Sequence, residues 1–286
     1  MALSANAEVG VVGAGAMGTE IAFVFALAGF RVWIFDSFAE KLDSLQHRLT
    51  AIYEKGIRRG EYAAEQMART LGGVQPVRTM DGFGSCDIVT EAVFERRDVK
   101  ADVLKKLDLV CKEGCTIATN TSTIPITSLA SHVSEKRQPF VIGTHYFSPV
   151  SRMELVEVIP GLLTSSSVLS ESLAVMNQIG KSPVRVKDVT GFAVNRLLHA
   201  LVIEAVRLVE EEVATPEEID QACRLGLGHA IGPFQLMDAT TSSLCLEAQE
   251  IMFQAYGERF RPRPLLKQRV EAGFVGGRGR KGWLTK

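Results

Sequence analysis

Val9–Asp36 reads VGVVGAGAMGTEIAFVFALAGFRVWIFD, and Gly13, Gly15 and Gly18 within it are spaced G-x-G-x-x-G. An apolar run precedes the glycines, a helical pattern follows them, and a second apolar run ends in Asp36. Each part meets a need of a bound dinucleotide. Gly13 permits a tight strand-to-helix turn, Gly15 lets backbone approach a pyrophosphate, and Gly18 allows close helix–strand packing. Ala16 and Met17 open the helix, whose free N–H groups and positive dipole end favour phosphate. Asp36 lies 18 residues beyond Gly18, at the tip of the predicted strand Arg31–Phe35. There a carboxylate accepts from ribose hydroxyls and repels a 2′-phosphate, which selects NAD over NADP.

The rest of the first half alternates strand-like and helix-like segments, the pattern of a mainly parallel sheet covered by helices. Ala39–Gly56 reads as a helix, and Lys55–Arg69 as a second helix or a projecting helical pair. Strand candidates follow at Val74–Arg78, Asp87–Glu91, Thr116–Thr119, Phe140–His145, Met153–Ile159 and Ser182–Val186. Helices are predicted over Asp98–Val110, Ile126–Ser131 and Leu169–Ile179. From Gly191 the alternation stops. Gly191–Glu212 carries apolar residues over most of its surface, so we expect it to be buried, partly by a partner subunit. Thr215–Pro216–Glu217–Glu218 reads as an N-cap, a first-turn proline and early acids. The expected fold is therefore α/β: a Rossmann-type domain over residues 1–187, then an all-helical domain over 188–286 that contributes to the site and dimerises.

Composition sets bounds. Hydrophobic residues are 46% and charged residues 23% of the chain, the proportions of a soluble globular protein. With 32 basic and 33 acidic side chains the net charge is −1, which gives no reason to expect a nucleic acid or an anionic membrane as partner. Five scattered cysteines argue for a reducing compartment and against a disulfide framework. Cys111 and Cys115 lack the second pair or nearby histidine that a metal site requires. No basic, then apolar, leader precedes the first strand, and no apolar run reaches membrane-spanning length, so a cytoplasmic protein is expected.

A dinucleotide fold does not say which bond is broken. His145 ends a predicted strand in GTHYFSPV, and a histidine can serve as a base near neutral pH. Glu157 lies 12 residues on in MELVEVI, an apolar strand where a carboxylate is costly unless paired. Spacing allows a His145–Glu157 dyad. It equally allows a satisfied strand-end histidine and a solvent-facing Glu157. Asn195 opens the apolar helix in TGFAVNRLL and reads as a cap or as a substrate contact. Ser122, in NTSTIPIT, reads as a turn former or as a hydroxyl donor.

Taken in order, DIVTEAVFE, NTSTIPIT, GTHYFSPV, MELVEV, TGFAVNRLL, GPFQLMD and the terminal GRKGW resemble the L-3-hydroxyacyl-CoA dehydrogenases, the 3-hydroxybutyryl-CoA type among them. The resemblance runs from Val9 to Trp283. It implies NAD-dependent oxidation of a 3-hydroxyacyl-CoA, with His145 as catalytic base, Glu157 orienting and charging it, and Ser122 and Asn195 on the substrate's oxygens. It also implies that Glu95 and Lys100 touch the nicotinamide half of NAD, and that Lys55 meets the coenzyme A phosphates. The chain departs from the family pattern in three places. Ser148 stands where many members have asparagine, Arg278 where a lysine lies near the cofactor, and Thr240–Ser243 where Val-Gly-Leu-Asp is usual. The last departure bears on acyl-chain preference.

Overall fold

Residues 2–284 are described in this computed structural model, and they form two units divided between Val189 and Thr190. The sequence places the division two residues earlier. In the first unit, β1 (Glu8–Val12) has Val9, Val11 and Val12 almost wholly buried, as a central strand covered on both faces must. Helix α1 (Ala16–Leu27) is apolar over most of its surface and packs Ile21, Phe23 and Phe25 into the same core. Strand β2 (Arg31–Phe35) pairs parallel with β1 and carries Asp36 to the strand end beside the glycine loop.

The helix predicted over Ala39–Gly56 is two helices, α2 (Ala39–Asp43) and α3 (Leu45–Arg58). Ser44 breaks it, because its hydroxyl donates back to the Glu40 carbonyl at 2.8 Å and competes with the helical ladder. After α3 the chain turns at Gly60, whose φ of +73° suits a glycine, and returns through a short 3₁₀ turn into α4 (Met67–Gly72). The charged arm is thus a folded hairpin. Tyr62 lies on Gly56, where a Cβ would come within 2.0 Å of the ring, and it also packs against Phe23 and Tyr53 at centroid distances of 5.7 and 5.2 Å.

The remaining elements are β3 (Val74–Pro76), β4 (Ile88–Glu91), α5 (Arg97–Val110), β5 (Thr116–Thr119), α6 (Ile126–Ala130), β6 (Val141–Tyr146), β7 (Leu155–Pro160), α7 (Ser166–Gln178) and β8 (Ser182–Arg185). The eight strands form one sheet in the order β3-β2-β1-β4-β5-β6-β7-β8, parallel except for the antiparallel pair β6–β7. That exception decides the site, since it sets two short-range neighbours face to face.

The second unit contains α8 (Val194–Glu210), α9 (Pro216–Gly226), α10 (Pro233–Thr240), α11 (Ser242–Tyr256) and α12 (Pro264–Glu271). Thr215 and Glu218 form the predicted cap of α9, each side chain bonded to the other's backbone N–H. Helix α8 is less uniform than its sequence suggests. It buries Val202, Ile203, Ala205 and Val206, while Leu197 remains 74% exposed. None of the helices among the described residues is long and apolar enough to cross a membrane.

Candidate active site

The glycine loop has the form a dinucleotide needs. Gly13 has φ +102°, and a Cβ there would come within 2.6 Å of the Ala92 carbonyl oxygen. A Cβ on Gly18 would overlap the Gly13 carbonyl at 1.8 Å, whereas a Cβ on Gly15 would meet nothing within 4 Å. Two glycines therefore make the turn and the packing, and the middle one opens onto space. That space is a cavity of about 1000 Å³ lined by Gly13, Gly15, Ala16, Met17, Asp36 and Phe94 among others. Its size suits a large cofactor. The residues fit NAD. Asp36 accepts from Ala14 N–H at 2.7 Å and from Phe38 N–H at 2.9 Å, so it braces the loop as well as facing the cavity. Carboxylate oxygens each keep a further lone pair for a ribose hydroxyl.

The second group of residues gathers at the ends of β4, β5 and β6. Antiparallel pairing makes His145 and Glu157 direct cross-strand partners. The His145 Nδ1 lies 2.8 Å from Glu157 Oε2, and its Nε2 lies 3.1 Å from the Ser122 hydroxyl. Both partners of the pair are almost fully buried. An ionised carboxylate only accepts, so Nδ1 carries the proton and Nε2 presents its lone pair. Phe147 covers the imidazole at a centroid distance of 4.6 Å. The alternative in which Glu157 faces solvent is excluded by its burial.

Ser122 is held by residues the sequence reading assigned elsewhere or passed over. Glu95 Oε1 accepts from the N–H groups of Ser122 and Thr123 at 2.8 and 2.9 Å, and from the Thr121 and Thr123 hydroxyls. Burial pushes the Glu95 carboxyl up, but the Lys100 charge and these hydrogen bonds outweigh it and hold it below the usual carboxylate range. Lys100 is 1% exposed and bridges Glu91, at 2.8 Å, to Glu95, at 3.3 Å. It stands behind the turn, and neither Lys100 nor Glu95 lines the glycine-loop cavity. Glu91 also accepts from Thr119 Oγ1 and Val93 N–H. An acid closing the apolar run DIVTE was the available signal for it. Asn120 ties the same turn to β6 by accepting from Tyr146 N–H at 2.9 Å, and Asp188 caps α6 through the Ile126 and Thr127 N–H groups.

Ser148 is exposed on the loop after β6, preceding a cis peptide bond to Pro149. Lys55 is exposed on α3. The acids that could have neutralised it pair elsewhere, Glu54 with Arg58 and Glu61 with Arg59. Asn195 lies in the first turn of α8 in the second unit, after Gly191 and Phe192, which have φ values of +72° and +46°. A left-handed phenylalanine is uncommon and is held here by burial. Arg278 is exposed between Gly277 and Gly279. The Thr240–Ser243 phrase has structural work in this unit: Thr241 accepts from Leu244 N–H at the start of α11, and Ser242 accepts from Trp283 Nε1 at 3.0 Å. Asp238 of GPFQLMD receives the N–H groups of Trp283 and Leu284, which joins that phrase to the terminal GRKGW.

Comparison with known proteins gives the family. Residues 8–189 match the family "3-hydroxyacyl-CoA dehydrogenase, NAD binding domain", and residues 191–286 match "3-hydroxyacyl-CoA dehydrogenase, C-terminal domain". A probable 3-hydroxybutyryl-CoA dehydrogenase of Deinococcus radiodurans is 37% identical over 279 residues, covering 96% of this chain and 98% of that one. A 3-hydroxybutyryl-CoA dehydrogenase of Clostridioides difficile is 35% identical over 270 residues, covering 94% and 95%. The crystal structure of (S)-3-hydroxybutyryl-CoA dehydrogenase from Ralstonia eutropha superposes with a TM-score of 0.92 at 35% identity, covering 98% of this chain and 99% of that one. With a glycine loop fit for NAD and a buried histidine–carboxylate pair in one sheet, the chain belongs to the 3-hydroxyacyl-CoA dehydrogenase family.

Proposed function

We propose that the protein oxidises the 3-hydroxyl of a short-chain L-3-hydroxyacyl-CoA to the ketone with NAD, and runs the reverse. The observation that carries this reading is the chain of contacts Ser122–His145–Glu157, built on the same sheet as the glycine loop. NAD, when bound, supplies the hydride acceptor. His145 takes the hydroxyl proton at Nε2, and Glu157 stabilises the imidazolium that results. Burial of the pair strengthens that stabilisation, because water does not screen it. Ser122 Oγ lies against the same nitrogen and so can hold the substrate oxygen while the proton moves.

The surrounding assignments belong to the same reading. Glu95 meets the nicotinamide half with its exposed edge, and Lys100 acts through Glu95. Asn195 holds a substrate oxygen, Lys55 meets the coenzyme A phosphates, and Ser148 and Arg278 serve the cofactor. We place the protein in the cytoplasm as a homodimer formed through the helical unit.

A panel of 3-hydroxyacyl-CoA esters of increasing length, assayed by NADH absorbance with NAD and NADP, tests the proposal. Turnover is expected to be fastest with short acyl chains and NAD, and free coenzyme A is expected to compete with substrate. Equal turnover of free 3-hydroxy acids, with no competition by coenzyme A, would replace the thioester with a free acid as substrate.

A further inference from the structure

Arg48 of α3 reaches beneath the glycine loop. Its Nη1 donates to the Ala14 carbonyl at 2.6 Å and to Thr19 Oγ1 at 2.5 Å, and lies 3.4 Å from the Gly15 carbonyl. Its Nη2 donates to the Lys41 carbonyl, and its buried Nε has no hydrogen-bond partner among the described residues. A long, costly side chain is therefore immobilised on two successive loop carbonyls.

The peptide plane gives this contact a direction. In a trans peptide the C=O and the following N–H point opposite ways. The Ala14 carbonyl shares its peptide with Gly15 N–H, and the Gly15 carbonyl shares its peptide with Ala16 N–H. The Gly15 carbonyl is already fixed by Thr19 N–H at 3.0 Å, the first rung of α1, so the helix aims Ala16 N–H. Drawing the Ala14 carbonyl toward α3 turns Gly15 N–H away from it, and Gly15 and Ala16 line the cavity. Ala14 N–H is already given to Asp36, so the next two donors at the helix start are the ones left for phosphate. The guanidinium also sets a positive charge behind them, close enough to feel the Asp36 carboxylate.

We infer that Arg48 is a positioning residue for the cofactor's pyrophosphate, aiming the Gly15 N–H into the cleft beside that of Ala16 and backing both with charge. This rests on the dinucleotide loop and is independent of the acyl-CoA reading, since cofactor binding is measured without substrate.

The test is fluorescence titration of wild type, Arg48→Met and Arg48→Lys with NADH, and competition of NADH by ADP-ribose and by adenosine. Arg48→Met is expected to weaken NADH and ADP-ribose about tenfold or more, the usual scale for hydrogen bonds involving a charged group. Adenosine, which lacks the pyrophosphate, is expected to bind within twofold of wild type. Arg48→Lys is expected to fall between, because a compact ammonium cannot span both carbonyls. An ADP-ribose affinity within twofold of wild type overturns the inference. So does an equal loss for adenosine, which would make Arg48 a brace of the fold alone. Should Arg48→Met fail to fold by circular dichroism, the ADP-ribose and adenosine comparison on Arg48→Lys decides in the same way. A wild type that binds no NADH would overturn the cofactor assignment itself.

Discussion

His145 and Glu157 are 12 residues apart and directly opposed across the antiparallel β6–β7 pairing, with Nδ1 2.8 Å from Oε2. The short connection returns the chain beside itself, so register alone sets the carboxylate against the imidazole. Burial of both then makes the pairing obligatory, since either group alone would lose its hydration without compensation.

Replacing His145 by glutamine is expected to preserve NADH binding and to lower kcat roughly 10²- to 10⁴-fold, the range for a positioned general base. Glu157→Gln is expected to lower kcat as well, because a neutral amide keeps the shape but does not stabilise the imidazolium. Turnover of His145→Gln near wild type from about pH 6 to 9 would remove the histidine from the mechanism.

Asp36→Ala is expected to raise the KM for NAD and to narrow the preference for NAD over NADP, by loss of the ribose acceptor and of the repelling charge. Because Asp36 also receives Ala14 N–H, the variant loosens the loop. Asp36→Asn separates the effects in part: its amide oxygen keeps an acceptor for Ala14 N–H while the charge is removed, and its NH2 replaces the oxygen that accepts from Phe38 N–H. Steady-state assays with both cofactors read the outcome, and a wild type that already uses NADP as well as NAD would contradict the assignment.

Lys55→Ala is expected to raise the KM for acyl-CoA several-fold, leaving kcat and the KM for NAD little changed, the pattern of binding lost away from the reacting carbon. The effect should shrink as salt increases, since the side chain is exposed. An unchanged KM at low salt would take Lys55 out of the site.

Glu95 gives a pH signature. Its carboxyl is held below the usual range, so its contribution to stability is complete above the unfolded value, about 4.3, and is lost as pH falls through the lower folded value. Glu95→Gln is expected to lower Tm at neutral pH, with the difference from wild type shrinking as the medium is acidified below about pH 4. At neutral pH the variant should also lose turnover, because the Ser122 turn is released. A Tm difference that does not change with pH would show that the charge of Glu95 is not what holds the turn.

Leu197 on α8, Val213 and Leu225 are more than 60% exposed, a large amount of apolar surface for one helical unit. A light-scattering mass of twice the chain mass is expected at micromolar concentration. A monomer there would mean that this surface has no partner copy.

The order of strands and helices, the glycine loop and its acid were legible because each depends on local chemistry: periodicity, a positive φ, a strand end. Gly13 and Gly18 could be assigned before any contact was known, since no other residue meets those demands. Helix ends were less legible. Ser44 splits one predicted helix because its hydroxyl competes with the backbone, and the Lys55–Arg69 arm folds back because Tyr62 finds Gly56. The catalytic pair was open on spacing alone, and the antiparallel register resolved it. The residues beneath it could be picked out in the sequence, but not that they meet. Glu91, Lys100 and Glu95 meet because β4, the start of α5 and the Ser122 turn converge, and Arg48 meets Ala14 because α3 packs beside α1. Sequence determines what each residue is able to do locally, while long-range packing decides which charges are buried together, because only there does the loss of water force each one to find its partner.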